Sequence, residues 1–368
     1  MSVTPYLPVF ELTRGEVVES IHDGAVAVMD VQGNLLAWYG NPETTTYLRS
    51  AAKPFQALPF IENGGHTRFG LTHREIALLC ASHSGTDEHV SVLAGLQAKT
   101  GVREADLMCG THPPYHEPTA TALLRRGEEP TPNRHNCSGK HTGMVAALRL
   151  RSWAEGGSEA PLTYIDPDLP LQREIRRTFA AMCCLDEKQV HLGIDGCSAP
   201  NFAAPLRRAA WAFARLADPE QPGEAGCVPI SPQRASACRL ITAAMMAHPD
   251  MVGGPGRFDT ALMELMGGRL VSKAGAEGFQ AIGVLPGALG PGSPALGIAM
   301  KVGDGDLRAR IRPALAVEVL RQLGVLSAEE LQALAGFGPA FPIHNWRKVL
   351  VGEGRPCFEL QRRAAAEA

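Results

Sequence analysis

Strand-like apolar patterns sit at both ends of the chain, and helical patterns fill the space between them. Residues 24–40, GAVAVMDVQGNLLAWYG, hold two β-like runs on either side of Gln32, Gly33 and Asn34, which predicts a hairpin. From about Glu75 to Gly254 the periodicity turns helical. TDEHVSVLAGLQAKTG opens on Thr86 and Asp87 as capping candidates and closes at Gly101. LQREIRRTFAAMCCL and NFAAPLRRAAWAFARLAD carry the spacing of amphipathic helices. SPQRASACRLITAAMMA puts Pro232 where a first helical turn tolerates it. After Gly267 and Gly268 the strand signal returns in RLVSKAG, FQAIGVL and ALGIAMKV. A helical stretch, DLRARIRPALAVEVLRQLG, and a last strand-like run, WRKVLVGEG, complete the chain.

This layout predicts a mixed α/β (α+β) fold with one sheet built from both chain ends and a mainly helical insert. The expected division is residues 1–65 with 268–368 as the sheet domain and 66–267 as the helical domain. An active site is expected between them.

Composition narrows the possibilities. Apolar residues make up 45% and charged residues 20% of 368, so a sizeable core can be buried. A net charge of −3 provides no electrostatic footprint for nucleic acid. The opening MSVTPYLPVFELTRGE lacks the basic start and apolar centre of a secretory leader, and no run approaches a membrane span. A cytoplasmic protein with no membrane partner is therefore expected. Its nine cysteines, scattered and odd in number, are then expected to be reduced thiols, some able to hold a metal. Cys183 and Cys184 are expected to pack as helix core.

TYLRSAAKPFQALP places Ser50 three residues before Lys53 among apolar neighbours. Residues three apart share a helix face, so the lysine can serve as base to the serine hydroxyl, provided burial or a nearby cation lowers its proton affinity. The same tetrapeptide also reads as a helix start with Ser50 as its cap. Two further stretches weigh on the choice. LLCASHSGTDEH sets Ser82, His83 and Ser84 at the end of an apolar helical run, and LVSKAGAEG sets Lys273 and Gly275 on a strand. A serine–lysine pair, a second serine and a strand with K-x-G form the constellation of the serine β-lactamase and penicillin-binding-protein fold. The asparagine usual two positions after the second serine is absent, and Ser84 stands there.

HNCSGKHTGM sets Cys137, Lys140 and His141 at a helix start, and GIDGCSAPNF sets Asp195 and Cys197 in a glycine-rich turn. Two thiolates from separate loops suit zinc. They equally suit small buried hydrophobes, the commonest use of free cysteine.

Taken together, LRSAAKPFQALP, CASHSGTDEH, HNCSGKHTGM, DGCSAPNF and SKAGAEG resemble the motifs of the class 3, rhizobial-type L-asparaginases, in family order and over nearly the whole chain. The resemblance implies a fold related to serine β-lactamases and glutaminases, a homodimer, and hydrolysis of L-asparagine to L-aspartate and ammonia. It implies two serine–lysine tandems, Ser50 with Lys53 and Ser82 with Lys273. Ser50 is favoured as the attacking group, because a helix N-terminus supplies backbone N–H groups to an oxyanion. It further implies a zinc site on Cys137, Lys140 and Cys197, with Asp195 and His141 around it and Arg49 beside the attacking serine. One zinc per chain is expected, outside the chemical step, with Arg49, His141 and Asp195 as substrate-binding residues. A glutaminase or another Ser–Lys amidohydrolase is the nearest alternative reading. A non-catalytic zinc-binding protein on the same fold is the more distant one, and retention of both lysines and both serines argues against it.

Overall fold

A computed structural model of the chain describes residues 5–154, 163–221 and 226–363. The chain divides into two units, Met1–Arg49 with Ala204–Gly226 and Ser272–Ala368, and Ser50–Ala203 with Cys227–Val271. The fold is mixed α/β, with strands supplied by both chain ends.

The first unit is organised on a sheet of nine strands among the described residues. Its main path runs Phe341–His344, Leu350–Pro356, Leu7–Arg14, Val17–Asp30, Leu296–Val302, Phe279–Val284 and Leu270–Ala274. From Phe341–His344 to Phe279–Val284 the neighbours pair antiparallel. Val17–Asp30 is the long strand that joins the parts. Residues 17–24 pair with Leu7–Arg14, residues 24–30 with Leu296–Val302, and Val26–Met29 with Leu35–Tyr39. Its first half, residues 17–23, is largely exposed and its mostly apolar second half is buried at every position, so only the second half lies in the core. The predicted hairpin is present, its turn closed by Asn34 donating from its backbone N–H to the Asp30 carboxylate at 2.8 Å.

The helices Leu206–Ala217 and Ile311–Gln322 pack on this sheet. Trp211 is fully buried and its indole N–H donates to the Val31 carbonyl at 2.9 Å. Burying a ring of this size contributes roughly 2–3 kcal/mol, and the bond removes the cost of hiding its polar edge. Here the structure corrects the sequence reading. The run NFAAPLRRAAWAFARLAD is not one helix: Pro200–Pro205 is a strand, and the helix begins at Leu206. Pro205 has no N–H and bars the helix from extending further back.

The second unit is mainly helical. The helix Lys53–Glu62 is buried at every position from Lys53 to Ile61, the mark of a central core helix. It packs against Ser138–Ala154, Pro170–Met182 and Pro232–Ala247. Phe55, Phe179 and Phe202 form a continuous aromatic contact through that core. The expected cap Thr86 accepts from the His89 backbone at the start of Asp87–Thr100. The structure adds a second cap, Ser231 accepting from the Arg234 backbone at the start of Pro232–Ala247, where Pro232 sits in the first turn as predicted. His191–Ile194 pairs antiparallel with Pro200–Pro205.

The expectation of reduced thiols throughout is also corrected. The helix Pro170–Met182 stops before the paired cysteines, and Cys184 takes a left-handed backbone, φ 51°, that turns the chain. Its Cα lies 5.2 Å from that of Cys227, and the two are joined by a disulfide. Cys183 does pack as core, and it and the six other cysteines form no disulfide. Among the described residues no helix is long and apolar enough to cross a membrane.

Candidate active site

Ser50 stands half-buried in a 3-10 turn, Arg49–Ala52, that leads directly into the helix Lys53–Glu62. The helix N-cap is Ala52, with no side-chain cap, so the capping reading of Ser50 does not hold. Pro54 occupies the first turn, where its missing N–H costs nothing.

Lys53 is 1% exposed. Its ammonium donates to Ser82 Oγ at 3.0 Å, to the Asn136 carbonyl at 3.3 Å, and to the Ala81 carbonyl. The three donors of the ammonium are thus all committed. The tandem reading pairs Lys53 with Ser50, whereas the bond observed runs to Ser82. Ser82 follows the helix His73–Leu79, and its backbone N–H donates to the Val252 carbonyl at 2.9 Å.

The residues after Ser82 fix this segment. His83 Nδ1 accepts from the Gly85 N–H, so the proton of the neutral ring sits on Nε2, which donates to Ser138 Oγ at 2.8 Å. Burial, helped by His89 and Lys53, holds His83 well below the ordinary histidine range. Ser84 donates to the Gly253 carbonyl at 2.8 Å. The segment is tied by a neutral strut to the start of the helix Ser138–Ala154. Gly139 in that helix allows the closest approach, since a Cβ there would stand 2.1 Å from the Leu78 carbonyl oxygen.

Cys137, Lys140 and Cys197 also converge. Lys140 Nζ donates to Cys197 Sγ at 2.9 Å. Contact with Cys197, with Lys53 and Lys140 adding positive charge, holds Cys137 far below the usual thiol range in spite of burial. Cys197 is raised by the same contact and by burial. The two sulfurs therefore titrate as a coupled pair beside the Lys140 ammonium. Burial works against the Lys140 ammonium, but the two sulfurs outweigh it and raise its pKa.

His141 completes the cluster. Tyr164 accepts from the Met108 N–H and so donates to His141 Nδ1 at 2.7 Å, which leaves the ring proton on Nε2. That Nε2 is buried and makes no hydrogen bond of good geometry, although it stands near enough to Cys197 to feel its charge. Burial lowers His141 to about 4, so the ring is neutral near pH 7. Asp195 lies in the turn before Cys197, and its charge reaches Lys140. Among the described residues no three His, Cys, Asp or Glu side chains gather as a metal site. The convergent set is instead two sulfurs and a lysine that would ligate once deprotonated, donors that fit a soft divalent cation, with the His141 ring N–H beside them.

Lys273 and Arg49 belong to the first unit. Lys273 is fully buried on the strand Leu270–Ala274 and donates to the Ala274 carbonyl at 2.9 Å. Arg49 precedes Ser50 with a left-handed backbone, φ 51°. Sequence reasoning missed Asn136, whose carbonyl holds Lys53 and whose side chain meets His112 Nε2 at 3.2 Å. A backbone acceptor carries no residue-type signal, and His112 sits in THPPYHEP, which reads only as a loop.

A family model described as L-asparaginase II matches residues 10–356. No curated protein matches the chain. Among solved structures it is weakly similar to a probable glutaminase from Bacillus subtilis complexed with 6-diazo-5-oxo-L-norleucine. That match has a TM-score of 0.34 and 11% identity, and covers 77% of this chain and 78% of the other. A Bacillus glutaminase matches with a TM-score of 0.35 and 12% identity, over 82% of this chain and 91% of its own. Likeness this slight carries no argument.

Proposed function

The chain belongs to the L-asparaginase II family, and from that premise we propose that it hydrolyses L-asparagine to L-aspartate and ammonia through a serine–lysine mechanism. The observation that carries the proposal is the buried bond from Lys53 to Ser82 Oγ at 3.0 Å. A hydroxyl needs a neighbouring base to become a nucleophile, and a lysine already on a serine is placed for that work.

Ser50 is the proposed attacking group. It is half-exposed and reachable, whereas Ser82 is buried and engaged by Lys53. With Lys53 neutral, the Ser50 proton passes through the Ser82 hydroxyl to the lysine amine as Ser50 Oγ bonds to the amide carbon. The tetrahedral species collapses by breaking the C–N bond, and the nitrogen takes a proton as it leaves as ammonia. Lys273 is the proposed donor of that proton. Water then attacks the aspartyl ester and gives a proton to the now neutral Lys273. The Lys53 ammonium returns its proton through Ser82 to Ser50 Oγ as the ester C–O bond breaks, which restores both lysines and frees Ser50.

Cys137, Lys140 and Cys197 would hold a zinc ion, one per chain, with Asp195 and His141 around it. When bound, it supplies a fixed positive charge that orients the charged end of the substrate. His141 presents its ring N–H beside that end, and Arg49 offers a fork of donors to the α-carboxylate. We also propose a homodimer, on the resemblance alone. A glutaminase reading stays close, because one methylene of substrate length is worth only about 1–3 kcal/mol. Ammonia release from L-asparagine and L-glutamine, measured in parallel on the purified enzyme, tests the proposal.

A further inference from the structure

Glu277 follows Lys273 by four residues, on the turn that leaves its strand. Its Oε1 lies 3.9 Å from Arg49 Nη1. Features within the first unit bring the two together. A Cβ on Gly275 would stand 2.4 Å from the Leu48 carbonyl oxygen, so the segment carrying Arg49 is pressed against the turn carrying Glu277. Gly305 clears space for the carboxylate, since a Cβ there would meet Glu277 Oε2 at 2.6 Å. Arg49 and Glu277 both hold left-handed backbone, φ 51° and 57°, which non-glycine residues keep only where the surroundings impose it.

Stability does not account for this arrangement. The pair is loose and the Glu277 side chain is 60% exposed, a setting in which ion pairs contribute next to nothing. Two residues in left-handed backbone thus meet in a contact that by itself barely stabilises the fold. Lys301 is the other cation in the field of Glu277, but its ammonium is bonded to the Val302 carbonyl.

We infer that Glu277 is a positioning residue that aims the Arg49 guanidinium, and through it sets the preference for substrates with a free α-carboxylate. The inference rests on the proposed reading of Arg49 as a substrate-binding residue. A guanidinium is a planar fork, and steadying one of its nitrogens reduces the freedom lost when a carboxylate docks. Glu277 acts on the substrate only through Arg49.

The experiment compares wild type, Glu277→Gln and Glu277→Asp on L-asparagine, on its α-amide, and on succinamic acid, which lacks the α-amine. Glu277→Gln is expected to raise KM for L-asparagine about fivefold with kcat within about twofold, the signature of lost ground-state binding. The same rise is expected for succinamic acid and none for the α-amide, with Glu277→Asp recovering part of the loss. An equal rise on all three substrates would show a merely structural effect and overturn the inference. So would a rise that vanishes with succinamic acid, which would put Glu277 on the ammonium itself, or no change at all. Should wild type release no ammonia from L-asparagine, the proposed activity fails and titration calorimetry with L-aspartate decides the inference separately. Weaker binding by Glu277→Gln than by wild type sustains it; equal binding or none overturns it.

Discussion

The Lys53 ammonium lies 3.0 Å from Ser82 Oγ, 29 residues away in sequence, and the two are buried together. A lysine hidden this deeply beside a serine has no part in surface solubility. Its other two bonds go to backbone carbonyls, so its direction is fixed.

Replacing Lys53 by methionine keeps the volume and removes the amine. Turnover is expected to fall by about a thousandfold or more, within the range lost with a general base. The Ala81 and Asn136 carbonyls lose their donor, which costs about 1–3 kcal/mol of stability. Steady-state kinetics with a denaturant titration on the same sample checks both. A variant with near wild-type turnover would remove Lys53 from the chemistry.

The two serines separate by covalent labelling. A diazoketone analogue of asparagine is expected to leave its adduct on Ser50, read by peptide mass spectrometry. Ser82→Ala should still take the label, but slowly, because the proton route is cut. An adduct on Ser82 in the wild type would reverse the assignment.

The buried histidines set a pH dependence of stability. His83 and His141 are held below the unfolded value near 6.5, His141 at about 4. His135 is lowered to about 4 as well, by burial and then by His112. Below about pH 6.5 the unfolded chain binds protons that the folded chain refuses, so stability falls with falling pH. For His135 and His141 the loss is complete near pH 4. Urea midpoints of chelator-treated protein at pH 7.5, 6.5 and 5.5 are expected to decline in that order. A flat series would mean that these rings take up protons in the fold as they do in the unfolded chain.

The sulfur–lysine cluster predicts metal content. Purified protein is expected to carry about one zinc per chain, lost in Cys137→Ser and in Cys197→Ser. Elemental analysis reads this directly. The metal-free enzyme should show a raised KM and a modest loss in kcat. Loss of turnover by many orders of magnitude at saturating substrate would instead put the metal in the chemical step.

Local signals were legible in the sequence because they act over a few residues. Thr86 and Gly101 bound a helix as their types predict, and Asp30 to Asn34 close the hairpin. The motifs also led to the convergent Cys137, Lys140 and Cys197. What was hidden is what folding brings together. The strand Pro200–Pro205 was masked by an apolar run of helical composition until Pro205 interrupted it. A four-carbon lysine chain reaches far enough that the spacing of Ser50 and Lys53 could not reveal Ser82 as the partner. The Cys184–Cys227 link spans 43 residues with no local mark.

The central claim is that a buried serine–lysine pair serves an asparagine amidohydrolase. Ammonia release from L-asparagine and L-glutamine, measured in parallel on wild type and on Ser50→Ala, tests it most directly. The account predicts turnover of L-asparagine with kcat/KM at least about tenfold above that for L-glutamine, consistent with one methylene of discrimination. It also predicts that Ser50→Ala abolishes turnover of both while the protein stays folded. Equal or greater activity on L-glutamine, or undiminished activity in Ser50→Ala, would contradict it.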